Sequence, residues 1–426
     1  MKRLTIIIMI IIVAVVVLAG LLLYFFLFQS STQDKSTLSE TSESLSGTLS
    51  LSEKQDNSEA NPAVGVTDIS EEEITRESTM ENVSEEAAAE EFRVNILGMI
   101  ANTEVVGGTL SANNDRVLYY DFTEEEFVSV NLLGENSVSL SATSFPAVQV
   151  VWSPDKTRLI YETPDDGQIF TFLEGSEEIP LGSFVSSPVF TDDSAEIAYY
   201  YGDSDNDIST VSLGNPETGL TKYKELASLK GNFVVRMVPT KNKVGYYLSP
   251  SLTRQSSLYT TSLDASTTEI LLSNKYAFDV KWSPDGSQMV YNKLGQNGRP
   301  ELWLADGDGR NQRKLTHATY IDKVVWSPQG DYLYLAVPRN LPRIIDYYEG
   351  KIKTKDNLYT VNLATGEEYL VYELTKIMEL DIRNMFMTPQ GLLIYFENYY
   401  NHNLMVINVW VPDLDSEHTE PVLEIE

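Results

Sequence analysis

The sequence contains no cysteine and only three histidines among its 426 residues. The absence of cysteine excludes disulfide bonds, thiolate nucleophiles and zinc–thiolate sites. Basic residues are also scarce, with 31 lysines and arginines against 62 aspartates and glutamates and a net charge of −31. Because nucleic-acid phosphates require a basic protein surface, this composition argues against nucleic acid as a partner.

Charged residues are absent from Leu4 to Phe28, a run rich in Ile, Val, Leu and Phe. A bilayer core of about 30 Å is crossed by about 20 helical residues, so residues 4–28 are predicted to be a transmembrane signal anchor. A cleaved signal peptide is the alternative, but its apolar region is usually shorter and ends in small residues. Lys2 and Arg3 predict that residues 1–3 are cytoplasmic and that the chain after the span is extracytoplasmic.

Residues 29–92 have almost no aromatic content and are rich in Ser, Thr, Glu and Asn. The segment Gln29 to Glu91 holds 16 acidic and 3 basic residues. Such a chain cannot bury enough apolar surface to offset the entropy lost on ordering. We therefore expect a disordered stalk that holds the following domain away from the membrane surface.

One short pattern recurs through residues 93–426. The segment WSPDG at Trp282 appears again as WSPDK at Trp152 and as WSPQG at Trp326, and four weaker copies begin at Leu110, Phe190, Met237 and Met387. The spacings are 42, 38, 47, 45, 44 and 61 residues. A period in the forties, with apolar runs on both sides of a turn, predicts four-stranded propeller blades. The predicted fold is an all-β, seven-bladed β-propeller, with six or eight blades as alternatives.

The unit at Trp282 shows how the pattern specifies strands and turns. Ala277 to Ser283 alternates apolar and polar residues, as a strand with one buried face does. Pro284, Asp285 and Gly286 are the residues that a tight turn favours. The remaining strands of this blade are predicted at residues 288–292, 301–305 and 312–315. The apolar alternation of Val94 to Ile100 suits a strand that closes the ring against the last blade, although a simple linker strand is also compatible with it.

The residues WSPDGSQMVY followed by LWLADGDGRNQRKLT resemble the repeat of TolB-type propellers. This repeat also occurs in the propeller domains of prolyl oligopeptidases and in other WD-like bacterial propellers. The resemblance is strong in units two, five and six and only positional in the other four, and it implies a fold more firmly than an activity. TolB-type propellers are described as six-bladed, periplasmic and soluble, whereas this chain has seven units and begins with a membrane segment.

The scarcity of histidine bears on enzymatic activity. A Ser-His-Asp triad needs His317, His402 or His418 beside an activated serine, and no GxSxG segment or hydrolase domain follows the propeller. We therefore expect no catalytic residues and a protein that is not an enzyme. The alternative is an extracytoplasmic propeller enzyme, a metal-dependent lyase or hydrolase, whose site lies at the mouth of the central channel.

Three carboxylates at alternate positions, Asp203, Asp205 and Asp207, resemble the first half of a calcium loop. A complete loop also needs Gly at its sixth position and Glu at its twelfth, where this chain has Ile208 and Gly214. Only a weak Ca²⁺ site is predicted here, against the alternative of a solvated hairpin loop. No other cofactor is expected.

The long last spacing indicates an insertion in unit six, Arg339 to Lys355, with five basic and two acidic residues in an acidic chain. Long loops with arginine and aromatic residues are typical of binding surfaces, so the insertion is predicted to bind a partner. The alternative is that the insertion is an extended pair of strands that simply lengthens a hairpin. The candidate partner-binding residues are Arg339, Arg343, Ile344, Ile345, Tyr347, Tyr348, Lys351 and Lys353. The overall prediction is a membrane-anchored, non-enzymatic scaffold that binds an envelope protein or a cell-wall glycan.

Overall fold

The computed structural model describes Ser84 and residues 96–409, except Asp166, Ser176 and Asn206. Within these residues the chain forms seven antiparallel sheets of four strands each. In the first six sheets the strand order follows the sequence, so each sheet is a blade of consecutive strands. The predicted seven-bladed propeller is confirmed, and the six- and eight-bladed alternatives are wrong.

The strands run in chain order from β1 to β28. The first, β1, spans Leu97–Ala101. Blade one comprises β2 Val105–Leu110, β3 Arg116–Asp121, β4 Glu126–Asn131 and β5 Val138–Ala142. Blade two comprises β6 Gln149–Trp152, β7 Arg158–Glu162, β8 Gln168–Phe172 and β9 Glu178–Gly182. Blade three comprises β10 Val185–Phe190, β11 Ile197–Asp203, β12 Ile208–Gly214 and β13 Tyr223–Ser228.

The remaining blades continue in chain order. Blade four comprises β14 Phe233–Val238, β15 Lys243–Leu248, β16 Gln255–Ser262 and β17 Thr268–Tyr276. Blade five comprises β18 Asp279–Trp282, β19 Gln288–Leu294, β20 Pro300–Asp306 and β21 Arg313–Lys314. Blade six comprises β22 Val324–Trp326, β23 Tyr332–Pro338, β24 Asp356–Asn362 and β25 Glu368–Tyr372. Blade seven contains β26 Ile382–Met387, β27 Leu393–Asn398 and β28 Asn403–Asn408.

The ring is closed by the first strand. β1 pairs antiparallel with β28, with Gly98 opposite Val406 and Leu97 opposite Ile407. Blade seven therefore has the order β1-β28-β27-β26, with its outermost strand supplied from the start of the propeller. This pairing covers the edge that β28 would otherwise expose and ties the two ends of the domain together.

The repeated pattern marks the end of each innermost strand. Trp152, Trp282 and Trp326 are the last residues of β6, β18 and β22. In the turn that follows Trp282, the Ser283 hydroxyl donates to Asp285 at 2.6 Å and accepts from the Gln288 backbone N–H at 3.0 Å. The Asp285 carboxylate accepts a hydrogen bond from the Ser287 backbone N–H at 3.0 Å. The serine and aspartate of the pattern thus bond the turn internally, which is a structural role.

The tryptophan of the pattern packs between blades. Trp282 is buried against residues of blades four and five, among them Tyr247 and Phe278. A Cβ atom added to Gly245 on β15 would lie 2.4 Å from the Trp282 ring, so only glycine permits this approach of the two blades. The blade-to-blade core is therefore continuous around this part of the ring.

The insertion in blade six joins β23 to β24 and contains a short helix, α1, at Ile344–Tyr348. The extended pair of strands that was the alternative does not form. The insertion lies on the face that carries the links between blades, because the Tyr347 ring stacks on Tyr320 of the link between blades five and six at 3.6 Å. Lys353 Nζ also reaches the Tyr400 carbonyl of the β27–β28 loop at 3.2 Å, which confirms that these loops share one face.

No helix among the described residues is both long and apolar enough to span a membrane. The predicted anchor at residues 4–28 and nearly all of the predicted stalk at residues 29–92 lie outside the described residues. Both therefore stay predictions.

Candidate functional site

In a propeller the innermost strands surround a central channel. Helix α1 contacts Arg383 on the innermost strand of blade seven and Tyr320 in the link between blades five and six, so it lies at one end of that channel. Ile344 and Tyr347 are buried in a small apolar cluster with Ala277 and Tyr320. The Tyr320 hydroxyl donates to the Pro342 carbonyl at 3.0 Å, so it also fixes the chain just before the helix. Ile345 and Tyr348 of the same helix are partly exposed.

The Tyr347 hydroxyl donates to the Asp322 carboxylate at 2.6 Å. The guanidinium of Arg383 lies over the Tyr347 ring, 4.2 Å from its centroid. Burial, together with the charge of Asp322, raises the pKa of Tyr347 far above its ordinary value. Burial also raises the pKa of Asp322, whose second carboxylate oxygen, Oδ1, accepts no hydrogen bond from any described residue. The Tyr347 hydroxyl and the Asp322 carboxyl group, both with a raised pKa, therefore meet at this end of the propeller.

A fully buried lysine lies below this layer. The Lys323 ammonium donates to Asp356 Oδ2 at 2.6 Å, to Asp381 Oδ1 at 2.6 Å and to the Ile382 carbonyl at 2.8 Å. All three side chains are 0% exposed. We call Lys323, Asp356 and Asp381 the anchor triad. An ammonium has three protons to donate, and here each one has an acceptor.

The two carboxylates of the anchor triad differ in environment. Burial raises the pKa of Asp356 despite the neighbouring Lys323 charge. Burial also acts to raise the pKa of Asp381, but the Lys323 charge and the hydrogen bonds from Arg383 outweigh it, so the pKa of Asp381 is lowered. Asp381 additionally accepts from the Thr354 hydroxyl at 3.0 Å. The triad therefore holds the returning end of the insertion onto blade seven.

Innermost strands of blades four and five add charged side chains to the channel. Arg236 on β14 is exposed, and Asp279 and Lys281 on β18 are partly exposed between the buried Val280 and Trp282. The Lys281 ammonium donates to the Val324 carbonyl at 2.7 Å. Desolvation lowers the pKa of Lys281 to about 8. The negative charge of Asp322 acts to raise this pKa, and the positive charge of Arg236 acts to lower it.

Tyr348 of helix α1 completes this arrangement. Its side chain is 44% exposed. Burial of its hydroxyl among protein groups and the charges of Asp279 and Asp322 raise the pKa of Tyr348 well above its ordinary value, so the phenol keeps its proton at neutral pH. We call the following residues the mouth cluster: Arg236, Asp279, Lys281, Asp322, Tyr347, Tyr348 and Arg383.

The structure separates the predicted partner-binding residues into two groups. Ile344 and Tyr347 are buried and attach the helix to the propeller, so their side chains are not accessible to a partner in this structure. The reason is the helical period, which turns neighbouring side chains to different faces. The others are exposed, and Arg343 and Lys351 pair with Asp346 and Glu349 within the insertion. The exposed set is Arg339, Arg343, Ile345, Tyr348, Lys351 and Lys353. Partner binding by the insertion stays a prediction.

The aspartates predicted as a weak calcium site form a turn between β11 and β12. Asp203 Oδ1 accepts from the Asp205 backbone N–H at 3.0 Å, and Asp207 pairs with Lys230 at 3.5 Å on the surface. Among the described residues no group of three or more acidic or histidine side chains is placed to hold a metal ion. Calcium binding here stays an untested prediction.

Sequence reasoning missed the polar members of the mouth cluster. Arg236 interrupts the apolar run FVVRMV, and Lys281 interrupts DVKW. In the sequence alone, each is typical of a strand residue that faces solvent. The signal that could have pointed to a site is that both charged residues lie on innermost strands. Their proximity across blades depends on the ring itself, which one sequence does not display.

No protein-family model matches the chain, so the TolB-type resemblance is not confirmed. Two solved structures share its fold. One is an oligogalacturonate lyase in complex with manganese, 13% identical, with a TM-score of 0.53 over 75% of this chain and 91% of that one. The other is an oligogalacturonate lyase from Vibrio parahaemolyticus, 12% identical, with a TM-score of 0.54 over 74% and 91%. At these identities the likeness supports the propeller fold.

A curated protein of Bacillus subtilis (strain 168), named "uncharacterized peptidase YuxL", is 29% identical to this chain over 96 residues. The matched segment is 22% of this chain and 14% of the relative. This chain therefore matches only a small part of the relative's length.

The expectation that the protein is not an enzyme is corrected by these comparisons. Two solved propellers that match about three quarters of the chain are named lyases, and the curated relative is named a peptidase, which points to enzyme-like propellers. The sequence argument failed because scarce histidine and a missing hydrolase domain exclude only certain catalysts. They do not exclude a site built from lysine, arginine, tyrosine and aspartate, and the channel mouth contains such residues.

The mouth cluster does not fit a manganese ion of the kind that accompanies one of the lyases. Such an ion takes several oxygen or nitrogen donors. The carboxylates of Asp279 and Asp322 are each engaged by a tyrosine hydroxyl, from Tyr247 and Tyr347. Lysine and arginine side chains, which repel a cation, share the same space.

Replacing Lys323 with Met should lower the free energy of unfolding by about 3–5 kcal/mol, because two buried carboxylates lose their counter-charge. The matched control is Lys355→Met, which removes an exposed ion pair with Glu379 and should cost under about 1 kcal/mol. Urea unfolding followed by tryptophan fluorescence measures both. Equal effects of the two substitutions would contradict the role assigned to the anchor triad.

Proposed function

We propose that this protein is an extracytoplasmic propeller enzyme of the lyase type, and that it acts on an anionic glycan at the channel mouth. The observation that carries the proposal is the placement of Lys281, whose pKa is lowered to about 8, next to exposed Arg236 and beneath helix α1. Support for the lyase class comes from two solved propellers of similar fold that are named lyases. A general base works best when its pKa lies near the working pH.

The cationic side chains favour a substrate with negative charge. Arg236 and Lys281 lie on neighbouring innermost strands, and Arg383 lies on the innermost strand of blade seven. The propeller as a whole is strongly acidic, with 46 acidic and 26 basic residues from residue 92 onward. A local group of cations in such a surface attracts an anion to one place. A sugar acid, in which a carboxylate adjoins a C–H bond, matches this requirement.

The residues can share an elimination reaction. Arg236 neutralises the sugar carboxylate, which makes the neighbouring C–H bond more acidic. The neutral Lys281 amine takes that proton, the electron pair forms a carbon–carbon double bond, and the bond to the glycosidic oxygen breaks. Tyr348, which holds its proton at neutral pH, donates it to the leaving oxygen. Solvent then returns the proton from Lys281 to Tyr348.

The Lys281→Met variant should reduce kcat on acidic oligosaccharides by about 100-fold or more, because the base is removed. In the unsubstituted protein kcat should rise with pH and reach half its maximum near pH 8, where the lysine loses its proton. The control Lys241→Met changes an exposed lysine in the hairpin after β14 and should leave the rate unchanged. Formation of unsaturated sugar ends is the measurement. Full activity of Lys281→Met, or no cleavage of any acidic oligosaccharide, would overturn the proposal.

The site would work outside the cytoplasm if the sequence-based topology is correct. We propose that residues 4–28 anchor the chain, that residues 29–92 form the stalk, and that the substrate or partner is therefore an envelope component. Protease added to intact cells of the source organism, after removal of any outer barrier, should cleave within the stalk and release the propeller. A propeller that is cut only after the plasma membrane is broken would show the opposite topology.

A further inference from the structure

A cavity lies along blade three, where Leu181 of blade two borders it, and none of its lining residues belongs to the mouth cluster. Its volume is about 620 Å³. Small-molecule sites have volumes of about 300–1,000 Å³, so this cavity is large enough for a ligand of several rings. We call it the side groove, and its principal lining residues are Tyr199, Tyr201, Ile208, Ser212, Tyr223 and Glu225.

Register across blade three explains why these side chains meet. Tyr201 on β11 is opposite Thr210 on β12, and Tyr199 is opposite Ser212. Ser212 is in turn opposite Glu225 on β13. Because side chains alternate between the two faces of a strand, these residues lie on one face of the sheet. That face combines aromatic rings with hydroxyl and carboxylate groups.

The rim of the side groove presents aromatic rings to solvent. The Tyr223 side chain is 64% exposed, the largest exposure among the large hydrophobic residues of the described chain. Phe184 is 42% exposed and packs edge-on against the Tyr201 ring at 5.8 Å. Ile208 is also 43% exposed at the rim. The buried lining residues include the apolar Leu181 and Val185 and the polar Ser212.

The charge of the side groove differs from that of the channel mouth. Its lining contains the carboxylates of Asp207 and Glu225, and no lysine or arginine is among the described lining residues. Carboxylates accept hydrogen bonds from neutral hydroxyl and amide groups, whereas they repel anions. An anionic glycan is therefore disfavoured here.

We propose that the side groove binds an uncharged oligosaccharide. The apolar face of a sugar ring packs on an exposed aromatic ring, while its hydroxyl groups exchange hydrogen bonds with side-chain hydroxyls and carboxylates. Tyr223 supplies the exposed ring, and Ser228 and Glu225 supply polar groups beside it. A neutral cell-wall glycan has this chemistry. The groove then holds the protein on the wall independently of the reaction at the channel mouth.

The test uses the full chain in detergent micelles and a tetramer of N-acetylglucosamine as the probe. Titration calorimetry should detect binding to the unsubstituted protein, and Tyr223→Ala should weaken it about tenfold, because one stacking contact is lost. Tyr223→Phe keeps the ring and should bind within about twofold of the original. The matched control is Tyr369→Ala, which removes an exposed tyrosine from the outer strand of blade six and should leave binding unchanged.

Three results would overturn the assignment. The first is no binding of the tetramer at millimolar concentration. The second is unchanged binding by Tyr223→Ala, and the third is equal loss of binding by Tyr369→Ala and Tyr223→Ala. Retained activity of Tyr223→Ala on acidic oligosaccharides is expected in addition, because Tyr223 contributes nothing to the mouth cluster.

Discussion

Removing the ammonium of Lys323 from water carries an energetic cost of several kcal/mol unless all of its protons find acceptors. Asp356, Asp381 and the Ile382 carbonyl provide them, each within 2.8 Å. Lys323 stands at the start of blade six, Asp356 where the insertion returns to the sheet, and Asp381 just before blade seven. One buried cation therefore fixes three segments at once, and the position of helix α1 over the channel depends on them.

The repeat and its interruption have separate roles. In the repeat, residues such as Ser283 and Asp285 bond the turn internally, and the tryptophan, such as Trp282, fills the space between two blades. The insertion departs from the repeat and brings Tyr347 and Tyr348 over the channel. Charged residues on innermost strands, such as Arg236 and Lys281, then face this helix. Scaffold and chemistry are thus distributed between the regular and the irregular parts of the same domain.

The regular parts could be predicted from the sequence because their signals are local. Trp282 ends an innermost strand as the period requires. A strand was expected near Val94–Ile100 and lies at Leu97–Ala101, but the sequence left open whether it closes the ring. The mouth cluster could not be predicted, since the meeting of Arg236 with Lys281 depends on how neighbouring blades align. Tyr347 and Tyr348 looked equivalent in sequence, but a helical turn buries one and exposes the other.

A crystal structure of the protein with a bound acidic oligosaccharide tests the central claim most directly. The account predicts a sugar carboxylate against Arg236, the adjoining carbon within reach of Lys281 Nζ, and the glycosidic oxygen beside the Tyr348 hydroxyl. The anchor triad should be unchanged by the ligand. An oligosaccharide bound elsewhere, with the mouth cluster in contact with water alone, would contradict it.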